Sequence, residues 1–158
     1  DLLLDILNQL SEPDSNETVL RYFELHLLHH LGYRPQLRRC VNCDLPIKPV
    51  VNFFSPSKGG LLCPHCNSEE NHRYGQSETL SLKPSLPISV EALKVLRLWQ
   101  NCDYATAKRV KVKPELSREL EQVLQKYIRY LLQRELKSVT WLEELKGELT
   151  VDSSQKKN

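Results

Sequence analysis

Cys40-Val-Asn-Cys43 and Cys63-Pro-His-Cys66, the second pair entered through Phe54-Ser-Pro-Ser-Lys-Gly-Gly-Leu-Leu62, decide how this 158-residue chain is read. Two residues between cysteines let a tight turn aim both thiolates at one ion, and the nineteen residues between the pairs are enough for a hairpin that returns the second pair to face the first. Four sulfurs then complete a tetrahedron about 2.3 Å from the metal. The spacing therefore predicts a structural zinc site made by Cys40, Cys43, Cys63 and Cys66. A rubredoxin-like iron site uses the same ligands, so sequence leaves zinc against iron open. Cys63-Pro-His-Cys66 also matches the dithiol of some disulfide oxidoreductases. That chemistry wants the first cysteine at a helix N-terminus after a buried strand, within βαβ alternation, and no such alternation surrounds this pair.

Four thiolates leave no open position for water or substrate, which disfavours a catalytic metal. The chain lacks HExxH, the H-x-E of nucleobase deaminases, a P-loop and GxGxxG, and five glycines could hardly build such loops. It is expected not to be an enzyme. His65 and His72 read as surface side chains beside a knuckle rather than ligands, and Cys102 as a small interior side chain.

Outward from the cysteines the pattern is helical. Leu2–Leu10 reads as the end of a helix, Ser11–Asn16 as a turn, and 17–31 as a helix with Val19, Phe23, Leu27 and Leu31 on one face, closed by Gly32. Helical period disappears between Gln36 and Tyr74, where Val50–Phe54 reads as a short strand and Ser55–Gly60 as its turn. After a loop holding Pro84 and Pro87, Ser89 is placed to cap a helix continued by Leu93, Leu96 and Trp99, with Ile88 and Leu93 as a hydrophobic staple. Pro114 opens the longest helix, striped by Leu116, Leu120, Val123, Leu124, Tyr127 and Leu131. A separate short helix is expected near Trp141–Leu149, capped by Thr140 and Glu143, and then a disordered tail.

The expected fold is thus mainly α: a bundle-like helical domain with an inserted four-cysteine zinc ribbon containing a short β-hairpin. The helical domain takes residues 1–35 and 76–150, the ribbon 36–75 and the tail 151–158. Because the chain begins at Asp1 and contains no Met, it is read as a fragment lacking its N-terminal part. No apolar run approaches the roughly 18–20 residues of a membrane span, no signal peptide is visible, and a zinc-type cysteine set points to a reducing cytoplasm.

The net charge of +2 is unevenly spread, with six acids against two bases in residues 1–35 and the excess of bases further on. Lys108-Arg-Val-Lys-Val-Lys113 would, if extended, put Arg109, Lys111 and Lys113 on one face that can track a phosphate backbone; a solvated loop or protected edge accounts for it equally. Arg38-Arg39 beside the first knuckle carries the same two readings. From residues alone, a zinc-ribbon nucleic-acid module of transcription or RNA metabolism is the alternative function.

In their order, Arg21-Tyr-Phe-Glu-Leu-His-Leu-Leu28, Leu31-Gly-Tyr-Arg-Pro35, the first knuckle, Phe54-Ser-Pro-Ser-Lys-Gly-Gly-Leu-Leu-Cys63-Pro-His-Cys66, Pro87-Ile-Ser89 and Leu136-Lys-Ser138 resemble the C-terminal region of the RecO family. The resemblance covers about residues 2–145. It implies a DNA repair and recombination mediator, with an N-terminal OB-fold expected in the full protein and a helical domain interrupted by a zinc finger. It further implies binding of single- and double-stranded DNA, strand annealing, and cooperation with RecR to load RecA onto strands coated by the single-stranded-DNA-binding protein SSB. An acidic SSB C-terminal tail would need an apolar pocket with a basic rim, for which Arg21 and Arg129 are the candidates. The same resemblance implies a bacterial, nucleoid-associated location. Val139 stands where family members commonly carry Arg, which places any role of that Arg on Lys137 or elsewhere.

Overall fold

The computed structural model of the chain describes residues 16–74 and 85–152, with Asn16, Arg73, Tyr74 and residues 139–152 given by backbone path alone. The expected helix at Leu2–Leu10, most of the Ser11–Asn16 turn, Pro84 and residues 153–158 lie outside these limits. The described elements are α1 (Asn16–His30), β1 (Asn52–Ser55), β2 (Gly60–Leu62), α2 (Pro64–Tyr74), β3 (Leu86–Ile88), α3 (Val90–Trp99), α4 (Tyr104–Ala107) and α5 (Pro114–Asp152). Mostly helical, with a small antiparallel sheet beside the four cysteines, the architecture agrees with the expected class. No described helix is long and apolar enough to cross a membrane.

The sheet has strand order β2-β1-β3, both pairings antiparallel. Phe54 faces Leu61 and Leu86 across the sheet, whereas its neighbour Phe53 faces Leu62 and Pro87. Alternating side chains point to opposite faces of a strand. Phe54, Leu61 and Ile88 accordingly enter the helical core, while Phe53 and Leu62 join Cys40 and Cys66 in a second, smaller cluster. The observed strand starts two residues later than expected. Val50 and Val51 are exposed, and the buried Asn52 amide donates to the carbonyls of Lys48 (3.0 Å) and Val50 (2.7 Å), turning the chain just ahead of the strand.

Besides α4, two elements were not expected. Pro64–Tyr74 is a helix, and Leu86–Ile88 adds to the sheet as an edge strand, where Pro87 costs little because an edge N–H needs no partner. The helix α2 carries no apolar stripe. Its buried residues are Cys66, Asn67 and Glu70, which a hydrophobic pattern cannot reveal.

The buried face of α1 is rotated from the one expected. Val19, Tyr22, Leu25 and Leu28 are buried, while Leu27 and Leu31 are exposed and Phe23 is half-buried. A strict spacing of four drifts around a helix of 3.6 residues per turn, and this segment is apolar on most sides, so either stripe satisfied the pattern. Gly32 closes the helix as expected, with φ at 84° and Tyr33 N donating to Leu28 O at 2.7 Å.

Ser89 caps α3 by accepting from Ala92 N, and its own hydroxyl donates to Glu119 Oε2 of α5 at 2.8 Å. The stretch 101–113, unassigned from sequence, contains α4, capped by Asp103. Pro114 opens α5 at its first residue, and Leu120, Val123, Leu124, Tyr127 and Leu131 are buried as a stripe. The expected separate helix at Trp141–Leu149 is instead the continuation of α5, which runs unbroken to Asp152. No Pro or Gly stands between Pro114 and Gly147 to interrupt it, and a Thr with a Glu three residues on does not break a helix already propagating.

Gly60 lies where the first knuckle crosses the hairpin. A Cβ there would fall 2.6 Å from Val41 Cγ1 and 2.7 Å from Gln36 O, whereas at Gly32 nothing lies within 4 Å. Gly60→Ala is expected to destabilise the chain by about 1–3 kcal/mol through overpacking. Gly32→Ala should cost about 1 kcal/mol through backbone conformation alone. Urea titrations should show both as lowered midpoints at unchanged slope, with Gly60→Ala the lower of the two.

Candidate metal centre and nucleic-acid interface

The four cysteines come from two knuckles. The first is closed by Cys40 N donating to Leu45 O (2.8 Å) and Asp44 N to Cys40 O (2.9 Å), with Asp44 in the left-handed region at φ 56°. The second is the entry to α2, where Asn67 N donates to Cys63 O at 3.0 Å. The hairpin joins them, through Val41 N to Leu61 O (2.8 Å) and Leu61 N to Gln36 O (3.0 Å).

The four Sγ atoms lie within 4.8 Å of one another, and those of Cys43 and Cys63 are 3.9 Å apart. A tetrahedron with metal–sulfur bonds of about 2.3 Å has edges of about 3.8 Å. A disulfide would need about 2.05 Å, and all four cysteines are free. Backbone and side-chain N–H groups are already aimed at the sulfurs. Cys63 N donates to Cys40 Sγ and Asn42 Nδ2 to Cys66 Sγ, each at 3.4 Å. Without metal the thiols are unequal. Burial pushes Cys40 up, but the backbone amides of Cys43, Cys63 and Asn42 outweigh it and bring it down to about 6. Burial pushes Cys66 up to about 12, against the hydrogen bond from Asn42. An ion binding here would find Cys40 the readiest of the four to give up its proton and would displace protons from the raised Cys43 and Cys66.

Cys63 does sit at a helix N-terminus after a buried strand, the placement a redox dithiol requires and one not legible in the residues alone. The surrounding sheet is antiparallel, however, and the other cysteine pair stands against it, which is metal-ligand geometry. His65 is 80% exposed and lies 3.9 Å from Glu69. It groups with Cys66 and Glu69 at a distance a metal could span, but that group shares Cys66 with the four-sulfur set. His72 is exposed.

The basic residues are distributed over several surfaces. Lys108, Arg109, Lys111 and Lys113 are all exposed, whereas Val110 and Val112 between them pack against the helical core. Lys108 and Arg109 lie in the turn that closes α4 and only 111–113 run on without a turn, so the segment is not extended throughout, although its exposure alternates from Arg109 to Lys113. Arg38 is exposed beside Arg97, whose pKa is lowered by burial and then by Arg38; Arg97 Nε donates to Leu37 O at 2.8 Å. Arg97 was missed from sequence, because only the tertiary fold brings it to the knuckle. Arg39 instead braces the knuckle, Nε donating to Asp44 O and Oδ1, both at 2.9 Å. Arg21 is 4% exposed and lies between Glu24 (3.1 Å) and Glu121 (3.7 Å), beside a shallow depression of about 130 Å³ lined by Glu17, Leu20 and Ser117 as well. Arg129 is exposed on α5.

The family model for the recombination protein O C terminal matches residues 1–140. Among curated proteins, the DNA repair protein RecO of Dehalococcoides mccartyi is 38% identical over 144 residues, covering 91% of this chain and 52% of the relative. That of Symbiobacterium thermophilum is 35% identical over 149 residues (92% and 54%), and that of a Roseiflexus species 33% over 152 (96% and 50%). The chain spans about half the length of the curated relatives it matches. No solved structure matches it.

Cys40→Ser and Cys66→Ser are each expected to abolish stoichiometric metal retention, whereas His65→Ala and His72→Ala should leave one ion per chain. Elemental analysis after gel filtration checks both halves of this expectation.

Proposed function

The chain belongs to the RecO family of DNA repair proteins, matching its C-terminal region, and from that premise we propose that it is the DNA- and partner-binding helical half of a recombination mediator. The observation that carries the proposal is the exposure of Arg109, Lys111 and Lys113 while the half-buried Val110 and Val112 between them pack against the core. A row of cations on an anchored backbone suits a phosphate chain better than a freely solvated loop does, since its register is set before binding. Arg38 with Arg97 supplies a second cationic point. The contacts are to phosphate and not to base edges, which suits a protein that handles single- and double-stranded DNA of any sequence.

The ion in this reading is zinc. All four donors are thiolates, the set is closed, and two of the sulfurs, Cys40 and Cys66, are buried, which fits a structural rather than a catalytic site. The chain acts without catalysis, in the bacterial cytoplasm at the nucleoid. Within the whole mediator it would engage RecR and the SSB tail, supporting strand annealing and RecA loading. The tail's carboxylates would meet Arg129 on the exposed side of α5. Arg21 would take part only if the tail displaced Glu24 or Glu121 from it.

Replacing Arg109, Lys111 and Lys113 together with Glu is expected to weaken binding of a labelled oligonucleotide at least about tenfold at moderate salt. It should also flatten the dependence of log K on log salt by about 2, at roughly 0.7 per phosphate contact. An unchanged slope removes this segment from the interface. For the second partner, a labelled SSB tail peptide is expected to bind saturably in the micromolar range, more weakly as salt rises. The Arg21→Glu/Arg129→Glu double variant should lose that binding, and unchanged affinity would place the tail elsewhere.

A further inference from the structure

Lys58 occupies the turn between β1 and β2, which requires glycine at 59, where φ is 66°, and at 60, where a Cβ would collide. The turn makes no such demand of residue 58. Its ammonium is nevertheless fixed on two sides, 2.8 Å from Glu70 Oε1 of α2 and donating to Asn42 Oδ1 at 3.2 Å. Asn42 donates in turn from Nδ2 to Cys66 Sγ at 3.4 Å. A continuous chain of hydrogen bonds thus runs from Glu70 through Lys58 and Asn42 to one of the four sulfurs, tying together the first knuckle, the hairpin turn and α2.

Stability alone does not account for this arrangement. The Glu70 side chain is 11% exposed and its Oε2 is buried without a hydrogen-bond partner. An ion pair so placed recovers little more than its desolvation cost. What the pair does is orient an amide. With the Lys58 cation against Oδ1, the Asn42 side chain must present Nδ2 to the sulfur. Flipped, it would point its NH2 at an ammonium and its oxygen at a thiolate, and both contacts are repulsive.

We propose that Asn42, Lys58 and Glu70 form the outer shell of the metal centre, Asn42 as the donor to the Cys66 sulfur and Lys58, steadied by Glu70, as its positioning residue. This rests on the reading of the four cysteines as zinc ligands. A hydrogen bond to a thiolate offsets its negative charge and lowers its tendency to take up a proton and leave the metal. The shell acts on the buried side of the site, at Cys66; Cys43 lies on the exposed side.

The test compares the chain with its Asn42→Ala, Lys58→Met, Lys58→Arg and double Asn42→Ala/Lys58→Met variants, with Lys48→Met, an exposed lysine outside the network, as control. Zinc per chain is measured first, then the rate of zinc transfer to a chromophoric chelator, then the sulfur-to-metal charge-transfer band of the cobalt(II)-substituted forms. Asn42→Ala and Lys58→Met should each release zinc about tenfold faster. Both should shift the charge-transfer band, which general loosening of the fold would not do. Lys58→Arg should restore both properties, Lys48→Met should change neither, and the double variant should be no faster than Asn42→Ala alone, because the two residues act along one path. Release and band unchanged in a zinc-loaded Lys58→Met overturn the outer shell while leaving the zinc reading intact, and so do single effects that multiply in the double variant. A parent chain that retains no zinc overturns the zinc reading and the shell with it.

Discussion

One short strand with two buried faces holds this molecule together. Phe54 reaches into the helical core beside Tyr127, their rings edge-on at 5.3 Å, while Phe53, one residue earlier, reaches into the metal cluster. Strand geometry makes these two commitments inseparable, since turning one side chain inward turns its neighbour the other way. The cysteine segment is therefore no free appendage. Its hairpin forms part of the wall of the helical core, and β3, leading directly into α3, completes the same sheet. Among the described residues the four-cysteine cluster has only Cys40, Leu62 and Cys66 buried, far short of the core a small domain needs to fold unaided. The shared sheet supplies part of what that cluster lacks, and an ion held by the four sulfurs would add the rest.

What could be read from the sequence follows from which constraints are local. Ligand chemistry fixes the cysteine spacing, the turn fixes Gly59 and Gly60, and caps fix Ser89, Gly32 and Pro114, so all of these were legible residue by residue. The expected strand and long helix were found, displaced or extended by what lay next to them. Where burial involves polar groups, the pattern fails. The inner face of α2 is Cys66, Asn67 and Glu70, buried because they serve the metal cluster and its supports, not because they are apolar. The strand β3 contains a proline that reads as a loop until its edge position is known. On α1 the spacing pointed to Val19, Phe23, Leu27 and Leu31, and packing against α5, α4 and α3 kept Val19 but buried Tyr22, Leu25 and Leu28 in place of the rest.

Charge was legible as composition but not as role. Arg21, Arg39 and Lys58 look alike in sequence to Arg109 or Lys113, yet the first three have carboxylates of their own chain within 4 Å. Arg97 went unnoticed as one basic residue on an amphipathic helix, and gains its significance from Arg38, which lies far earlier in the chain. A cation at the surface is free to meet an external anion only to the extent that no internal one has met it first, and that is a tertiary property.

The four-cysteine cluster and the exposed arginine beside it are connected through this same distinction. Arg38 and Arg39 sit between Leu37, buried in the helical core, and Cys40, buried in the metal cluster, so their backbone is pinned at both ends. Arg38 O accepts from Ile47 N at 3.0 Å, Gln36 N donates to Gly59 O at 3.0 Å, and Arg97 holds Leu37 O. With the knuckle closed, Arg39 faces its own Asp44 and Arg38 is left at the surface near Arg97. Opening the knuckle would release the Arg39–Asp44 brace and the register of Arg38 together. Closing the knuckle thus decides which of two adjacent arginines remains at the surface and which is turned onto a carboxylate of its own chain.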